Sequence, residues 1–530
     1  MLEVTPKSKE VLPLSGNMEI ELKLTTDAKG LAQVRRTSFW SGPVRAQTRV
    51  LDSVYFDTVG HDLRACGFSL RLRKVGRRFR QTFKASGAGG YFERREFEND
   101  LSENKPDLSA IDDPTICSWL AHIGRTELKP VFTTHVRRSR KLYHPEAGTT
   151  VEIALDDGEV RSDKESTSLT EIELELKQGE PETLFNVARE LSGIIPVRLQ
   201  VQSKPDIGYT LCEGNLDNWT TAGKLKLSQD MTTEVALDAI IEYCVSHILR
   251  NDKCAAERAH IEGVHQVRVG LRRLRSGLRL FKAVLPRDQY DWITGEAKVF
   301  ANALGPAWDL DVFQTSILPP VVREFGDIVD FAGLDRTAAC LQDQAYELVR
   351  EAISSERFTI FMIELMRWRK MGSWRNQAVT AEAARLFSPI GELSTPLLTK
   401  RHKVVVKKGK GFADLSLEAR HEVRLLVKKL RYATDFFEGL YPAKPGKKHI
   451  RRLRRLQDEL GHLNDIVTLN SILDWILEHC GGAKAQRAAG FLIGWYEREV
   501  ASGDARLIED WKRFEKSKPF WYRAPRVLIY

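Results

Sequence analysis

The sequence is short of the residues that build disulfide frameworks and membrane spans. Only seven cysteines occur in 530 residues, at 66, 117, 212, 244, 254, 340 and 480, with no CxxC pair among them. Their odd number and wide scatter argue against a disulfide or zinc framework and point to buried thiols in a reducing compartment. No run of 18 apolar residues is present, so no transmembrane span is expected. The opening MLEVTPKSKEVLPLSGN lacks the apolar stretch and small-residue cleavage pattern of a secretory signal, and the protein reads as cytoplasmic. A GxxxxGK[ST] loop is missing, which argues against an ordinary P-loop NTPase. No Ser/His/Asp or Cys/His constellation suited to nucleophilic catalysis stands out.

What is present is charge. Charged residues make up 29% of the chain and hydrophobic ones 42%, a globular balance, and the length suggests two or three domains. The formal net charge of +9 understates the basicity, because Lys and Arg are clustered. Clustered positive charge points to polyanions: nucleic acid, anionic membrane or phosphate polymers.

Two textures divide the chain. From about 18 to 212, short runs alternate with period two: MEIELKLTT, VLDSVYFDT, FSLRLRKVG, RFRQTFKAS, YFERREFEN, TTHVRRSRKLY, TTVEIALDDG and EIELELKQG. Turn residues separate many of them, which predicts an antiparallel barrel or sandwich interrupted by helices near 107–123 and 180–192. From about 229 onward, apolar residues recur at i, i+3, i+4 and i+7, and this half is expected to be all helical. The polar segment EGNLDNWTTAGKL forms the link between the halves.

The helical half repeats itself. HQVRVGLRRLR begins at His265 and HEVRLLVKKLR at His421, and 421 − 265 = 156. LGPAWDL begins at Leu304 and LGHLNDI at Leu460, and 460 − 304 = 156 again. Two motif pairs at one ungapped offset imply two homologous helical bundles, about 229–385 and 386–515.

In the strand half, charged residues line one face of strand after strand. Glu19, Glu21 and Lys23 share a face of the first strand, with Ile20, Leu22 and Leu24 on the other. Arg71 and Arg73 align, as do Arg78, Arg80, Thr82 and Lys84, then Arg94, Glu96 and Glu98. Glu152, Ala154 and Asp156 align, and so do Glu171, Glu173, Glu175 and Lys177. A single such row is most simply a solvated face. Rows of Arg and Lys set against rows of Glu and Asp are different. Clustered carboxylates repel unless a hard cation lies between them, and clustered guanidinium groups repel unless an oxyanion does. Together they describe a site for a metal–polyphosphate complex.

These strands resemble the CYTH, or triphosphate tunnel metalloenzyme, superfamily. MEIELKL carries its ExExK signature. YFDT (55–58), SLRLRK (69–74), QTFK (81–84), RREFE (94–98), VEIALDDGEV (151–160), EIELELK (171–177) and SKPDIGY (203–209) match its further strand motifs in order. The resemblance implies that Glu19, Glu21, Glu171 and Glu173 bind Mg²⁺ or Mn²⁺. It implies that Arg71, Arg73, Lys84, Arg94, Arg138 and Lys204, with Lys23, hold a triphosphate. Glu152 or Asp156 joins Glu19, Glu21 and Lys23 in the catalytic set, helping to hold a second metal and the attacking water. His135 stands where many relatives carry another Arg. Within VRRSRK, the residues alone leave Arg137, Arg138 and Arg140 as alternatives. The superfamily includes inorganic, thiamine and RNA triphosphatases and class IV adenylyl cyclases, so the organic or inorganic nature of the substrate stays open from this half.

In the helical half, His265, Arg268, Arg272, Arg275 and Arg279 are spaced +3, +4, +3, +4, and His421, Arg424, Lys428 and Arg431 are spaced +3, +4, +3. Each set forms one helix face, where like charges destabilise an isolated helix by about 0.2–0.5 kcal/mol per pair. Something anionic must compensate: Asp309, Asp311 or Asp465 from within, or a ligand. The further basics of KKHIRRLRR exceed these acids. A metal role for the histidines is disfavoured, since no second His stands at i+4 and no Cys is near. The pattern resembles the CHAD domain, which implies inorganic polyphosphate binding through these residues together with Lys282, Arg452 and Arg455. Trp308 stands where relatives commonly have Arg. The companion CHAD domain favours inorganic triphosphate as substrate of the first half.

The resulting expectation is a multidomain α+β chain. A tail (1–17) precedes an N-terminal antiparallel β-barrel (18–212), a linker (213–228), a C-terminal all-α duplicated helical bundle (229–515) and a final tail (516–530). It would hydrolyse inorganic triphosphate and bind long-chain polyphosphate, in the cytoplasm and in association with polyphosphate granules. The rivals are a non-catalytic polyphosphate-localising protein, an organic triphosphatase and a nucleic-acid binder. The last is disfavoured because the stripes lack interleaved aromatics for base stacking.

Overall fold

The computed structural model describes residues 18–41, 45–86, 93–111, 113, 116–118, 120, 127–214 and 219–522, without the side chains at 18, 86, 93, 94, 110, 443–445 and 462–467. Two compact units divide between positions 216 and 217.

Alternating residues place the strands of the first unit: β1 (Met18–Thr25), β2 (Gln47–Asp57), β3 (Phe68–Val75), β4 (Arg78–Ser86), β5 (Glu93–Leu101), β6 (Lys129–Tyr143), β7 (Thr150–Arg161), β8 (Ser166–Gln178) and the short β9 (Arg198–Gln200). Their order is β5-β4-β3-β2-β6-β7-β8-β1-β9, antiparallel throughout. β1 also pairs with β5, with Glu19 opposite Arg94. Among the described residues, helices α1 (Ala28–Val34), α2 (Asp62–Ala65), α3 (Glu182–Ser192) and α4 (Lys204–Cys212) accompany the sheet.

The apolar face of the strands is the packed one. Leu22, Leu24, Leu70, Leu72, Ile153, Leu155, Ile172 and Leu174 are at most 1% exposed. Burying each contributes about 2 kcal/mol relative to leaving it in water. α3 packs on β1 and β8 with Leu184, Val187, Ala188 and Leu191 buried. The charged face is therefore relieved of holding the core together.

One segment differs from expectation. SKPDIGY, grouped with the strand motifs, is the start of α4. Ser203 accepts from the Asp206 backbone N–H, the Asp206 carboxylate accepts from the Ser203 N–H, and Pro205 occupies the first turn. This reciprocal cap nucleates a helix where a strand was expected. Within 107–123, where a helix was expected, the described residues include a 3₁₀ turn at Leu108–Ala110 and helical residues at 116–118 and 120.

The second unit is helical: α5 (Thr233–Leu249), α6 (Asp252–Ala256), α7 (Ile261–Leu278), α8 (Arg287–Ala303), α9 (Gly305–Val312), α10 (Leu318–Phe325), α11 (Ala332–Ser354), α12 (Glu356–Lys370), α13 (Ala381–Ala384), α14 (Ile390–Lys408), α15 (Leu417–Phe437), α16 (Ala443–His479) and α17 (Ala483–Glu515). The repeat offset recurs in the helices: α7 and α15 begin at 261 and 417, and 417 − 261 = 156. α8 and α9, separated at Leu304, answer to the single unbroken α16. Pro306 in the first turn of α9 has no N–H to continue the α8 ladder, and α16 carries Leu460, Gly461 and His462 over the equivalent stretch.

α7 packs on α5, and α15 packs on α7. Gly270 and Gly277 permit the first contact, because a Cβ there would meet Ile248 at 2.6 Å and Ile240 at 2.8 Å. The buried stripe Val264, Val267, Leu271, Leu274 and Leu278 runs beside the basic stripe one position ahead. The cations are consequently half-buried along most of α7.

Candidate functional site

In the first unit the charged strand faces surround a cavity of about 280 Å³. Its acidic side comes from Glu19 and Glu21 on β1, Glu152 and Asp156 on β7, and Glu173 and Glu175 on β8. Its basic side comes from Arg71 and Arg73 on β3, Lys84 on β4, Arg138 and Arg140 on β6, and Lys204 at the start of α4. Cross-strand pairing explains the contacts: Asp156 lies opposite Arg138 on β6 and Glu171 on β8, and Glu173 lies opposite Lys23 on β1.

Glu173 is the centre of the charge network. Lys23 Nζ and Lys204 Nζ donate to its Oε1 at 2.6 and 2.7 Å, and Arg138 donates to Oε2. Burial pushes its carboxyl upward, but Arg138, Lys204 and Lys23 overcome that and hold it well below the usual carboxylate range. Arg138 also grips Asp156 through two hydrogen bonds of 2.8 and 2.6 Å. Lys204 reaches Asp156 at 2.9 Å and Glu171 at 2.7 Å. Burial lowers the Lys204 ammonium's affinity for its proton, yet these carboxylates hold it well above the ordinary lysine value.

The basic side is less compensated. Arg73 donates to Ser53 Oγ at 3.1 Å, and burial and then Arg71 pull it down to about 10. Arg71 lies 3.7 Å from Glu96. Lys84 pairs with Glu19 at 2.7 Å and Glu96 at 3.2 Å. Crowded, partly unpaired guanidinium groups favour an oxyanion.

α4 is held by groups distant in sequence. Asp57, at the end of β2, is fully buried and accepts from the N–H groups of Thr58, Leu63 and Arg64 and from Tyr209 Oη at 2.6 Å. Gly208 lets the helix sit against Phe132 of β6, because a Cβ there would lie 2.2 Å from the ring. The phenyl group is itself stacked on Tyr55. Gly208→Ala is expected to lower the stability of this unit by about 1–3 kcal/mol, read from urea unfolding. An unchanged midpoint would contradict this packing.

Asp156, Glu171 and Glu173 bring one carboxylate oxygen each within 4.8 Å of the others, and all three are buried. Glu171 Oε1 is buried without a hydrogen-bond partner. Buried hard oxygen donors in this number fit a divalent ion such as Mg²⁺ or Mn²⁺.

Of the residues singled out from sequence, Glu19, Glu21, Lys23, Arg71, Arg73, Lys84, Arg138, Glu152, Asp156, Glu173 and Lys204 line the cavity, and Glu171 adjoins it through Lys204. Arg94 lies on β5, and its side chain is outside the described residues. Among the three arginines of VRRSRK, Arg138 and Arg140 line the cavity, while Arg137 is exposed. His135 is exposed and pairs with Asp52 at 2.5 Å, away from the cavity lining. Tyr55, Ser69, Thr82, Glu96, Glu98, Glu175 and Lys177 are further lining residues, and strand alternation places all of them but Tyr55 and Ser69 on the charged faces.

The helical unit brings its two stripes together. Arg272 of α7 joins Arg424, Lys428, Arg431 and Tyr432 of α15 and Gln457, Asp458 and Gly461 of α16 around a cavity of about 350 Å³. Four cations there face one carboxylate. Burial, then Arg272, Arg424 and Arg431, pull the Lys428 amine down to about 8. Arg272 has no carboxylate partner among the described residues, and its guanidinium lies over the Tyr432 ring at 5.8 Å.

The remaining stripe residues are distributed. Arg268 donates to the Gly305 carbonyl at 3.0 Å and lies 3.7 Å from Asp309. Asp311 instead accepts from Gln342 and Tyr346, and Asp465 lies outside the described side chains. Arg455 pairs with Asp510 at 2.6 Å. Arg275 is half-buried, and burial followed by Arg279 lowers it. Arg279 and His421 are exposed, and Arg452 is half-buried on α16. His265 lies against Trp308 with ring centroids 3.9 Å apart and the planes tilted by 34°. Tyr432 and Gln457 were not anticipated, though Tyr432 directly follows the second stripe.

The CYTH domain family matches residues 17–204 and the CHAD domain family matches residues 239–474. The chain carries a CYTH domain followed by a CHAD domain. The CYTH match takes in every charged lining residue of the first cavity, ending on Lys204, and the CHAD match takes in both basic stripes. An inorganic triphosphatase of Haemophilus influenzae is 24% identical over 229 residues, 43% of this chain and 63% of that protein. An uncharacterized protein of Mycobacterium tuberculosis is 25% identical over 457 residues, 78% of this chain and 80% of that protein. The crystal structure of the CHAD domain from the plant Ricinus communis is 27% identical, covering 57% of this chain and 98% of that one, with a TM-score of 0.47. Among the described residues, no helix is long and apolar enough to cross a membrane.

Proposed function

We propose that this chain hydrolyses inorganic triphosphate in its CYTH domain and binds long-chain inorganic polyphosphate on its CHAD domain. The observation that carries the reading is the cavity in which carboxylates of β1, β7 and β8 face cations of β3, β4, β6 and α4. The relative named an inorganic triphosphatase supports the choice of substrate. In this reading the β1–β5 pairing closes the sheet into a tunnel.

Arg71, Arg73, Lys84 and Arg138 hold the phosphate oxygens, with Lys23 and Lys204, and their positive charge stabilises the equatorial oxygens as the terminal group transfers. Asp156, Glu171 and Glu173 would hold the divalent ion, with Glu19 and Glu21 on the same cavity. When bound, the ion neutralises charge developing on the phosphoryl oxygens. Glu152, 14% exposed and 3.5 Å from Arg140, orients the attacking water. Positioning and electrostatics supply the catalysis, and no covalent enzyme intermediate is invoked.

Phosphate release is the test, with tripolyphosphate, thiamine triphosphate, ATP and long-chain polyphosphate each assayed in Mg²⁺ and in Mn²⁺. Tripolyphosphate is expected to turn over fastest and only with metal. Faster release from an organic triphosphate would replace the substrate. Absence of release from all four would leave a polyphosphate-binding protein.

A further inference from the structure

We infer that Lys204 is a built-in competitor for the divalent cation: in the metal-free chain its ammonium occupies the centre of the Asp156–Glu171–Glu173 cluster, and it withdraws toward the phosphate chain when metal enters. The inference rests on the proposed metal–triphosphate reading and assigns that site a regulation.

Three observations carry it. First, Lys204 Nζ lies 2.9, 2.7 and 2.7 Å from Asp156, Glu171 and Glu173, so one ammonium satisfies all three carboxylates at once. Among the described residues these are also the only acids grouped closely enough to hold a metal ion. Second, the cluster is already balanced. Its three carboxylates meet three cations, Lys204, Lys23 and Arg138, all within ion-pair distance. Adding two positive charges while all three remain would leave buried charge uncompensated, which is strongly unfavourable. Third, Glu171 Oε1 is buried with no hydrogen-bond partner, so the ammonium leaves a donor atom spare for a larger coordination demand.

Of the three cations, Lys204 is the one placed to leave. Arg138 is tied to Asp156 by two hydrogen bonds, and Lys23 sits mid-strand in β1, also 3.2 Å from Glu21. Lys204 enters from the first residue of a capped helix on a flexible four-carbon stem. A bound triphosphate offers it a new counter-charge, so metal and substrate each ease the other's entry. Bare metal is held weakly until phosphate arrives.

The test is Mn²⁺ binding to the full chain without phosphate, followed by the electron paramagnetic resonance of free Mn²⁺. Lys204→Met is expected to bind Mn²⁺ about tenfold or more tightly than the unaltered chain, on the scale of one buried ion-pair partner removed. Lys204→Arg, which keeps the charge, is expected to stay as weak as the unaltered chain. A second measurement needs no variant: acylation of Lys204, read by peptide mass spectrometry, rises several-fold when Mn²⁺ saturates the protein. Equal or weaker Mn²⁺ affinity in a folded Lys204→Met, or Lys204 labelling that metal leaves unchanged or suppresses, would overturn the inference. Tighter Mn²⁺ binding in Lys204→Met without tripolyphosphate hydrolysis by the unaltered chain would remove the proposed activity and leave the cation exchange standing. Hydrolysis alongside unaltered Mn²⁺ affinity would do the reverse.

Discussion

Glu173→Gln is expected to reduce metal-dependent phosphate release from tripolyphosphate by about three orders of magnitude, the scale of losing a preorganised charged group in a water-poor site. The side chain is nearly isosteric, so shape is retained while charge is lost. Lys23, Lys204 and Arg138 all converge on this carboxylate. Removing it strands buried cations, which costs about 3–5 kcal/mol. Urea unfolding at neutral pH should register that cost in the CYTH domain, and kcat should register the catalytic loss. The pH dependence follows from its depressed titration. A carboxyl held well below its unfolded value of 4.5 stabilises the fold above that value and loses the contribution as pH falls through its folded one. The stability gap between variant and parent therefore narrows below pH 4.5. Activity within tenfold of the parent would remove Glu173 from the site.

The paired substitution Arg272→Ala/Lys428→Ala should weaken binding of long-chain polyphosphate by about 100-fold, as two charge-assisted contacts of about 1.5–3 kcal/mol are lost. Tripolyphosphate turnover should be unaffected, since both residues belong to the CHAD domain. Lys428 adds a pH signature. With its amine at about 8 in the free chain, affinity is full below that value and declines as pH rises from 8 to 10 and the amine loses its charge. Lys428→Arg should abolish the decline while retaining binding. Calorimetric titration at pH 7, 8 and 9.5 distinguishes these outcomes. A double variant that binds as the parent does would move the polyphosphate surface elsewhere on the domain.

Local periodicity revealed most of the strand and helix elements because both hydrophobic rhythms are strong. The charged faces of β1, β3, β4, β7 and β8 were legible for the same reason: alternation puts every second residue on one side, and in these strands that side is mostly charged. The cavity's long-range connections were not. Asp57 and Tyr209 are 152 positions apart, and nothing local marks either as the tie that seats α4. The start of α4 is readable in principle, since Ser203 and Asp206 have capping-box spacing, but its place after a run of strand motifs makes it read as another strand. In the CHAD domain the offset of 156 exposed the duplication. Convergence of Arg272 with Lys428 depends on how α7 meets α15, a tertiary fact that no helix-face pattern contains. Trp308 stands out as a departure, yet its ring contact with His265 is visible only in three dimensions.

The separation of the two sheet faces bears on how the CYTH domain can change over evolutionary time. Leucines and isoleucines under the helices carry the folding energy, and the opposite face carries the charges. A substitution among the charges can retune which anion is favoured without opening a void in the packed layer. Its penalty falls on electrostatic balance, which a second charge reversal across the cavity can restore. New anion preferences are thus reachable by compensating pairs of polar changes that leave the hydrophobic layer intact.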